Sequence, residues 1–282
     1  MISTNSTIQG ASFTMDIYTD PYNQRIRIDD LRGNLVEAIA KAEDLAKDQQ
    51  AEKLIVKGRK EQFAPLLEKG FLCEGMIDQY FLGSDAYFFC KYFSSERKRS
   101  EFDIKEDEIV KNVQLLERYI ESISPPKEYE LKLIQKGDAP KLALLYKEVF
   151  KVYPTPLHDP TYICKTIDEG TIYYAFTCGD KIVSAASAEV NNMYKNAELT
   201  DCATLPEHRK YGLMKILLEK LEQQLLEQGI YCSYSLARAL SFGMNAALHQ
   251  LGYDYRGRLI NNCNIFDKIE DMNVWVKDLS TR

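Results

Sequence analysis

Glu198 and Asp201 lie in the strand-like run NAELTDCAT, and the hexad Arg209-Lys210-Tyr211-Gly212-Leu213-Met214 follows them. Paired carboxylates can take a proton or hold a cation. The hexad opens a run in which Leu213, Leu217, Leu221 and Leu225 recur every four residues, the spacing of an amphipathic helix. A helix start aims free backbone N–H groups and a positive dipole end at whatever precedes it. Gly212 lets that backbone approach a ligand closely. Arg209, Lys210 and Lys215 are cations at the end where the dipole opposes them. A bound anion would account for them; a basic helix start without a ligand is the alternative.

These residues need elements to position them. Period-two alternation puts Glu198, Thr200, Cys202 and Thr204 on one face of their strand and Asp201 on the other, unless a bulge brings Asp201 round. From residue 127 the order reads β-α-α-β-β-β-α-β-α-β-β, an α/β sheet with mixed strand directions. Its parts include YELKLIQ as a strand, Asp138 as cap of a helix with Pro140 in its first turn, and the hairpin TIYYAFTCGDKIVSAASAEV. Upstream, TMDIYTD and QRIRIDD read as strands, NLVEAIAKAEDLAKDQQ as a helix, AEKLIVK as a strand and KEQFAPLLEKG as a helix. A strand pair through QYFLGSDAYFFCKYF closes this part. The segment IVKNVQLLERYIESI reads as a helix that Pro125-Pro126 ends. The expected division is therefore residues 1–126 and residues 127–282. LLEKGFLCEGMI and LHQLGYDYRGRLI share L-x-x-x-G-[FY]-x-x-x-G, and DAYFFCK resembles DMNVWVK downstream, so a partial internal repeat is expected.

The bulk properties exclude several classes. A formal net charge of −6 argues against a general nucleic-acid binder. No apolar run is long enough to span a membrane, and MISTNSTIQGASFTMD has no basic segment leading into an apolar one, so neither a span nor a signal peptide is expected. The seven cysteines are scattered without a C-x-x-C, and the three histidines are dispersed. No disulfide framework or metal site is expected, and the compartment reads as reducing cytoplasm.

The C-terminal order, with a strand entering P-E-H-R-K-Y-G at a helix start, resembles the GNAT acyltransferase fold. The hexad keeps the Arg and Gly of that family's pyrophosphate turn, [RQ]-x-x-G-x-[GA]. It departs at Met214, where a small residue is usual, and at Lys210, where glycine is frequent. FKVYPTPLHDPTYI, SAASAEVNNMYKNAELTDCATLPEHRKYGL, LARALSFGMN and GYDYRGRLINNCNIFDKIEDMNVWVK together resemble the β-lysine N-acetyltransferase branch, which also carries an N-terminal extension of about this length.

The resemblance implies acetyl transfer from acetyl-CoA to the ε-amine of β-lysine. It implies a compatible solute, Nε-acetyl-β-lysine, as product and a functional pairing with a lysine 2,3-aminomutase. No metal is implied. The backbone of Ala203, Thr204 and Leu205 is expected to pair with the pantetheine arm, and residues 209–214 to cradle the diphosphate. Glu198 and Asp201 are rivals for catalytic base or ammonium anchor. The tyrosine acid of many relatives falls at Leu248 and is missing; His249 and Tyr253 are substitutes. Asn245 is a candidate for the thioester region, and Ser241 for a helix cap or a coenzyme contact. For the acceptor, the loop with Tyr153, Pro154, Thr155, Pro156 and Asp159 is expected to contribute, Asp159 also as a cap. Arg238 is the candidate for the substrate carboxylate, its fork suiting that group. Asn261 is a further substrate candidate, with Asn262 and Asn273 weaker.

The N-terminal part holds no Arg-x-x-Gly-x-small turn at its helix start. It reads as a degenerate half-GNAT unit that binds no coenzyme, its strands packing on the catalytic unit or on a second subunit in a homodimer. An unrelated α/β cap is the alternative. Two other functions fit: a GNAT acting on another diamine or a protein lysine, and a coenzyme A-binding sensor without catalysis.

Overall fold

Every strand among the described residues joins one sheet. The structure is a computed structural model that describes residues 3–118, 124–151, 153, 155–265 and 268–281. The first half runs β1 (Thr4–Gln9), β2 (Phe13–Asp20), β3 (Arg25–Gly33), α1 (Leu35–Asp48), β4 (Lys53–Gly58), α2 (Phe63–Glu68), β5 (Leu72–Phe81) and β6 (Ser84–Tyr92). Short α3 (Ser95–Lys98) and α4 (Asp103–Gln114) follow. The second half runs β7 (Tyr129–Leu133), α5 (Ala139–Val149), α6 (Pro160–Asp168), β8 (Ile172–Cys178), β9 (Lys181–Asn191), β10 (Asn196–Thr204), α7 (Leu213–Glu227), β11 (Cys232–Arg238), α8 (Phe242–Gln250), β12 (Asp254–Ile265) and β13 (Lys268–Asp278). The second half has the element order expected from the sequence.

The sheet has 13 strands in the order β1-β2-β3-β4-β6-β5-β12-β13-β11-β10-β9-β8-β7. Its two halves repeat one pattern. In the first, β3 lies parallel to β4 and antiparallel to β2, and β6 lies between β4 and β5. In the second, β10 lies parallel to β11 and antiparallel to β9, and β13 lies between β11 and β12. The first half thus repeats much of the strand arrangement of the second. The halves meet where Gly75 of β5 pairs with Gly257 of β12. These are the second glycines of the two L-x-x-x-G-[FY]-x-x-x-G segments.

Burial follows from the same pattern. Helix α1 covers one face of β2–β4 with Ala38, Ile39, Ala42 and Ala46. Helix α7 packs with Leu213, Leu217, Leu221 and Leu225 into the core of the second half. On the opposite face the sheet curls until its halves touch. Ile55, Ile77 and Phe88 of the first half share one apolar cluster with Tyr234, Leu259 and Val274 of the second. The run DAYFFCKYF thus packs against the second half of its own chain.

Three local expectations change. The charged stretch before Ile109 is helical, because α4 begins at Asp103 with acidic residues in its first turn. Residues 119–123 of the expected helix lie outside the described residues. Asp138 does not cap α5 with its side chain; it accepts instead from Gln135 N–H at 3.1 Å, holding the turn before the helix.

Candidate active site

The turn Pro206–Tyr211 is a 3-10 segment that ends in Gly212 at φ 68°, a left-handed conformation that glycine adopts without steric cost. Helix α7 starts there without a side-chain cap. Among the described residues no backbone acceptor outside the helix takes the N–H of Leu213 or Met214. An uncapped N-terminus with free donors fits an anion. Arg209, Gly212, Leu213, Met214 and Lys215 line one wall of a cleft of about 550 Å³. The Arg209 guanidinium is held over the turn by Nε donating to Thr204 O at 3.2 Å. Lys210 and Tyr211 turn toward each other: the Lys210 ammonium lies 5.2 Å from the Tyr211 ring, which packs on Tyr129. Neither side chain lines the cleft.

The cleft exists because β10 and β11 part. They pair from Asn196↔Cys232 to Glu198↔Tyr234 and no further. Beyond Glu198, the edge of β10 makes no further ladder pair with β11, and Leu199 O accepts from Ser235 Oγ at 2.8 Å instead. That edge carries Cys202, Ala203 and Thr204, and an extended ligand arm can pair with it as a strand would. Ala203 and Leu205 are themselves buried, and Leu205 N–H is already spent on Val183 O at 2.9 Å. The opposite wall holds Ser235, Ala237, Arg238, Ser241 and Met244.

A bulge settles the position of Asp201. The β9–β10 register shifts between Thr200 and Ala203, and Asp201 takes φ 52°. Its Oδ2 accepts from Ser187 Oγ at 2.8 Å. Ser187 is the ladder partner of Thr200, so Asp201 has come round to the face of Glu198. Its Oδ1 accepts from Tyr153 OH at 3.0 Å. Burial, aided by the charge of Glu198, pushes the Asp201 carboxyl up to about 6 against these two hydrogen bonds. Tyr153 is stacked on Phe150 at 4.3 Å and lines the cleft. Burial raises its hydroxyl well above the usual value, so it remains a proton donor.

Glu198 has an unexpected neighbour. Glu189 of β9 is its direct ladder partner. Like charges directly opposite each other destabilise a sheet. No hydrogen bond or ion pair reaches either carboxylate among the described residues. Burial first, then Asp201 and Glu198, push Glu189 up to about 8. The Glu189 side chain is nevertheless exposed to solvent. Glu189 escapes a search for motifs, since the signal in the sequence is only one acid in the small-residue run SAASAEV.

Other expected site residues lie elsewhere. Asn245 is fully buried and its bonds are spent: Nδ2 donates to Arg238 O and Ser241 O, and Oδ1 accepts from Asn273 Nδ2 and Trp275 Nε1. It fixes the end of β11 against α8 and β13 and is no cleft residue. Ser241 lines the cleft and does not cap α8 with its side chain. Asp159 caps α6, accepting from Thr161 N–H and Oγ1, both at 2.8 Å. Asn261 donates to Arg97 O and Arg99 O, away from the cleft. Arg238 reaches the cleft, but its fork grips Glu270 with two bonds of 2.7 Å. Leu248, His249 and Tyr253 are all buried, with His249 Nε2 against Leu116 O and Tyr253 OH bonded to Ser233 Oγ. Pro154 lies outside the described residues, and these hold no cluster of metal ligands.

This geometry agrees with the comparisons. The acetyltransferase (GNAT) family matches residues 140–253. The N-acetyltransferase YodP of Bacillus subtilis (strain 168) is 38% identical over 97% of this chain and 99% of that one. A β-lysine N(6)-acetyltransferase of Methanococcus maripaludis is 36% identical over 90% and 93%, and one of Methanosarcina mazei 38% over 74% and 85%. An uncapped helix start beside a parted strand pair, with a bulged carboxylate between them, thus recurs on a chain that aligns end to end with named acetyltransferases: it belongs to the β-lysine N-acetyltransferase family within the GNAT acetyltransferases.

Proposed function

We propose that the protein transfers the acetyl group of acetyl-CoA to the ε-amine of β-lysine. The facing carboxylates Glu189 and Glu198, which no hydrogen bond or ion pair reaches among the described residues, support this reading. Arg27 offsets part of their repulsion at longer range, and a bound ammonium group offsets more. GNAT acetyltransferases use acetyl-CoA, and the free N–H groups at Gly212–Met214, with Arg209 and Lys215, fit its diphosphate.

Each residue then has a task. Glu189 and Glu198 hold the β-ammonium, which leaves the ε-amine as the end that reaches the cleft. The reference value of such an amine is about 10.4, so it must shed a proton to attack. Asp201, ionised above about 6, takes that proton. Tyr153 and Ser187 hold the Asp201 carboxylate in place through its two oxygens. The new N–C bond forms as the C–S bond breaks, and CoA leaves as its thiolate. Holding both reactants in one cleft supplies much of the rate.

The reading carries further implications. A lysine 2,3-aminomutase is the enzyme that would supply the substrate. All seven cysteines are unpaired, which supports a cytoplasmic site of action. No described helix is long and apolar enough to cross a membrane. The test is CoA release with a thiol reagent, using acetyl-CoA and β-lysine, lysine or plain diamines, with NMR of the product. Nε-acetylation of β-lysine in preference to the others supports the reading. Tight binding of acetyl-CoA without turnover of any amine overturns it.

A further inference from the structure

We propose that the degenerate first half completes the acceptor site, with the Arg27 guanidinium binding the carboxylate of the substrate. This rests on the acceptor assigned above.

The sheet topology brings Arg27 to that place. Arg27 pairs with Ile55, and Ile55 with Cys90. Glu198 pairs with Tyr234, and Tyr234 with Val276. Cys90 and Val276 each stand two residues past Phe88 and Val274, the ladder partners of Gly75 and Gly257. Arg27 and Glu198 are therefore equivalent positions in the two halves. The curled sheet turns equivalent positions toward each other across the shared cluster of Ile55, Phe88, Tyr234 and Val274. Side chains confirm the approach. The Lys57 ammonium lies 5.8 Å from the Tyr234 ring, and Tyr194 OH donates to Asp30 Oδ2 at 2.6 Å. Asn196 Nδ2 donates to Tyr80 O at 2.8 Å. The charge of Glu198 reaches Arg27, and both act on Tyr234 and on Glu189.

Arg27 is built to receive an anion. Asp29 clamps one edge of its guanidinium, with Nε at 2.7 Å and Nη2 at 3.0 Å. Lys57 holds Asp29 in turn at 2.8 Å. The Tyr18 ring lies 5.0 Å from the guanidinium carbon. Nη1 has no partner among the described residues, and a quarter of the side chain is exposed. The other cations nearby are paired as Arg27 is, and the open Nη1 is what sets Arg27 apart. Lys57 is buried against Asp29 and Tyr80, Arg59 is bound to Asp30, and Arg238 grips Glu270.

The charges match the ligand. β-Lysine carries its ammonium one methylene away from its carboxylate, and its ε-amine three carbons further. Arg27 beside the Glu189–Glu198 pair matches the first two groups, and Asp201 receives the third. The second half alone offers the carboxylates Glu189, Glu198 and Asp201, so it would bind a plain diamine as well as an amino acid. The first half adds the group that tells them apart.

The experiment uses the full chain with Arg27→Gln and Arg27→Lys, assayed on β-lysine and on pentane-1,4-diamine, which is β-lysine without its carboxylate. Arg27→Gln should raise KM for β-lysine roughly tenfold to a hundredfold, the scale of hydrogen bonds to a charged group. KM for acetyl-CoA should not change, and KM for the diamine should fall, since the variant removes a cation that repels it. Arg27→Lys, which keeps the charge and the partner of Asp29, should fall between. Equal losses on both acceptors, or an unchanged KM for β-lysine, overturn the proposal, as does a native enzyme that treats the two acceptors alike. A native enzyme that acetylates neither acceptor instead overturns the assigned function.

Discussion

Gly75 and Gly257 face each other across the bridge that joins β5 to β12, and each stands four residues before a residue of positive φ, Gln79 and Asn261. The same bulge thus occurs twice, once on each side of the junction. Gly257 is the more constrained. At φ 130° it has a conformation closed to other residues, and a Cβ there would collide with Glu74 O and lie 2.5 Å from Gly75 Cα. Gly257→Ala should destabilise the protein by about 2–4 kcal/mol. Gly75→Ala, whose nearest contacts are 3.1 Å, should cost less. Denaturant titration of both variants checks the order.

Asp201 should set the acid limb of the rate profile. Its raised value means that the base is protonated below about 6 and free above. kcat/KM for the acceptor should therefore rise with pH through about 6 and then level before the substrate amine titrates. Asp201→Asn should lower kcat by about 10² to 10⁴ and erase that limb. A limb that survives in the variant would assign it to another group.

The turn at Gly212 makes a separate prediction about the coenzyme. Gly212→Glu places bulk and negative charge where the helix start meets the diphosphate. KM for acetyl-CoA should rise roughly tenfold or more, while Gly212→Ala, which adds only strain, should change it less. Equal values for native and Gly212→Glu protein would remove the turn from the site.

Glu106 provides a stability test away from the cleft. It is buried on α4, and burial followed by Asp271 pushes its carboxyl up to about 8 despite Arg258 nearby. A raised value in the fold means that the protonated form is the one favoured. Its contribution is complete below the unfolded value of about 4.3 and is lost as pH rises through about 8. Tm should fall over that window, and Glu106→Gln should flatten the fall. A steeper fall in the variant would contradict the assignment.

Much of the fold was legible because its signals are local. The leucines of α7, the Gly-Asp turn between β8 and β9, and Pro140 at the start of α5 each act within a few residues. The repeat was legible from two glycines, since both must allow backbones to touch. Strand β1 was missed, because TNSTIQ is exposed and carries no apolar alternation. Helix α4 began earlier than expected, because its charged first turns belong to a solvent-facing helix.

The sequence by itself determined the order of elements in the second half, the family, the glycine turn before α7 and the two rival carboxylates. Those depend on residue type at short spacing. Tertiary structure decided what each carboxylate faces. The bulge at Asp201 reverses its side because one extra residue flips the alternation of a strand. Glu198 meets Glu189 through the β9–β10 ladder, and the curl of a 13-stranded sheet brings it within electrostatic reach of Arg27. Asn245, which sequence placed in the site, is withdrawn into the core by Asn273 and Trp275. Charges far apart in the chain acquire their roles only when the fold brings them near one another, since burial and distance determine how strongly they act on each other.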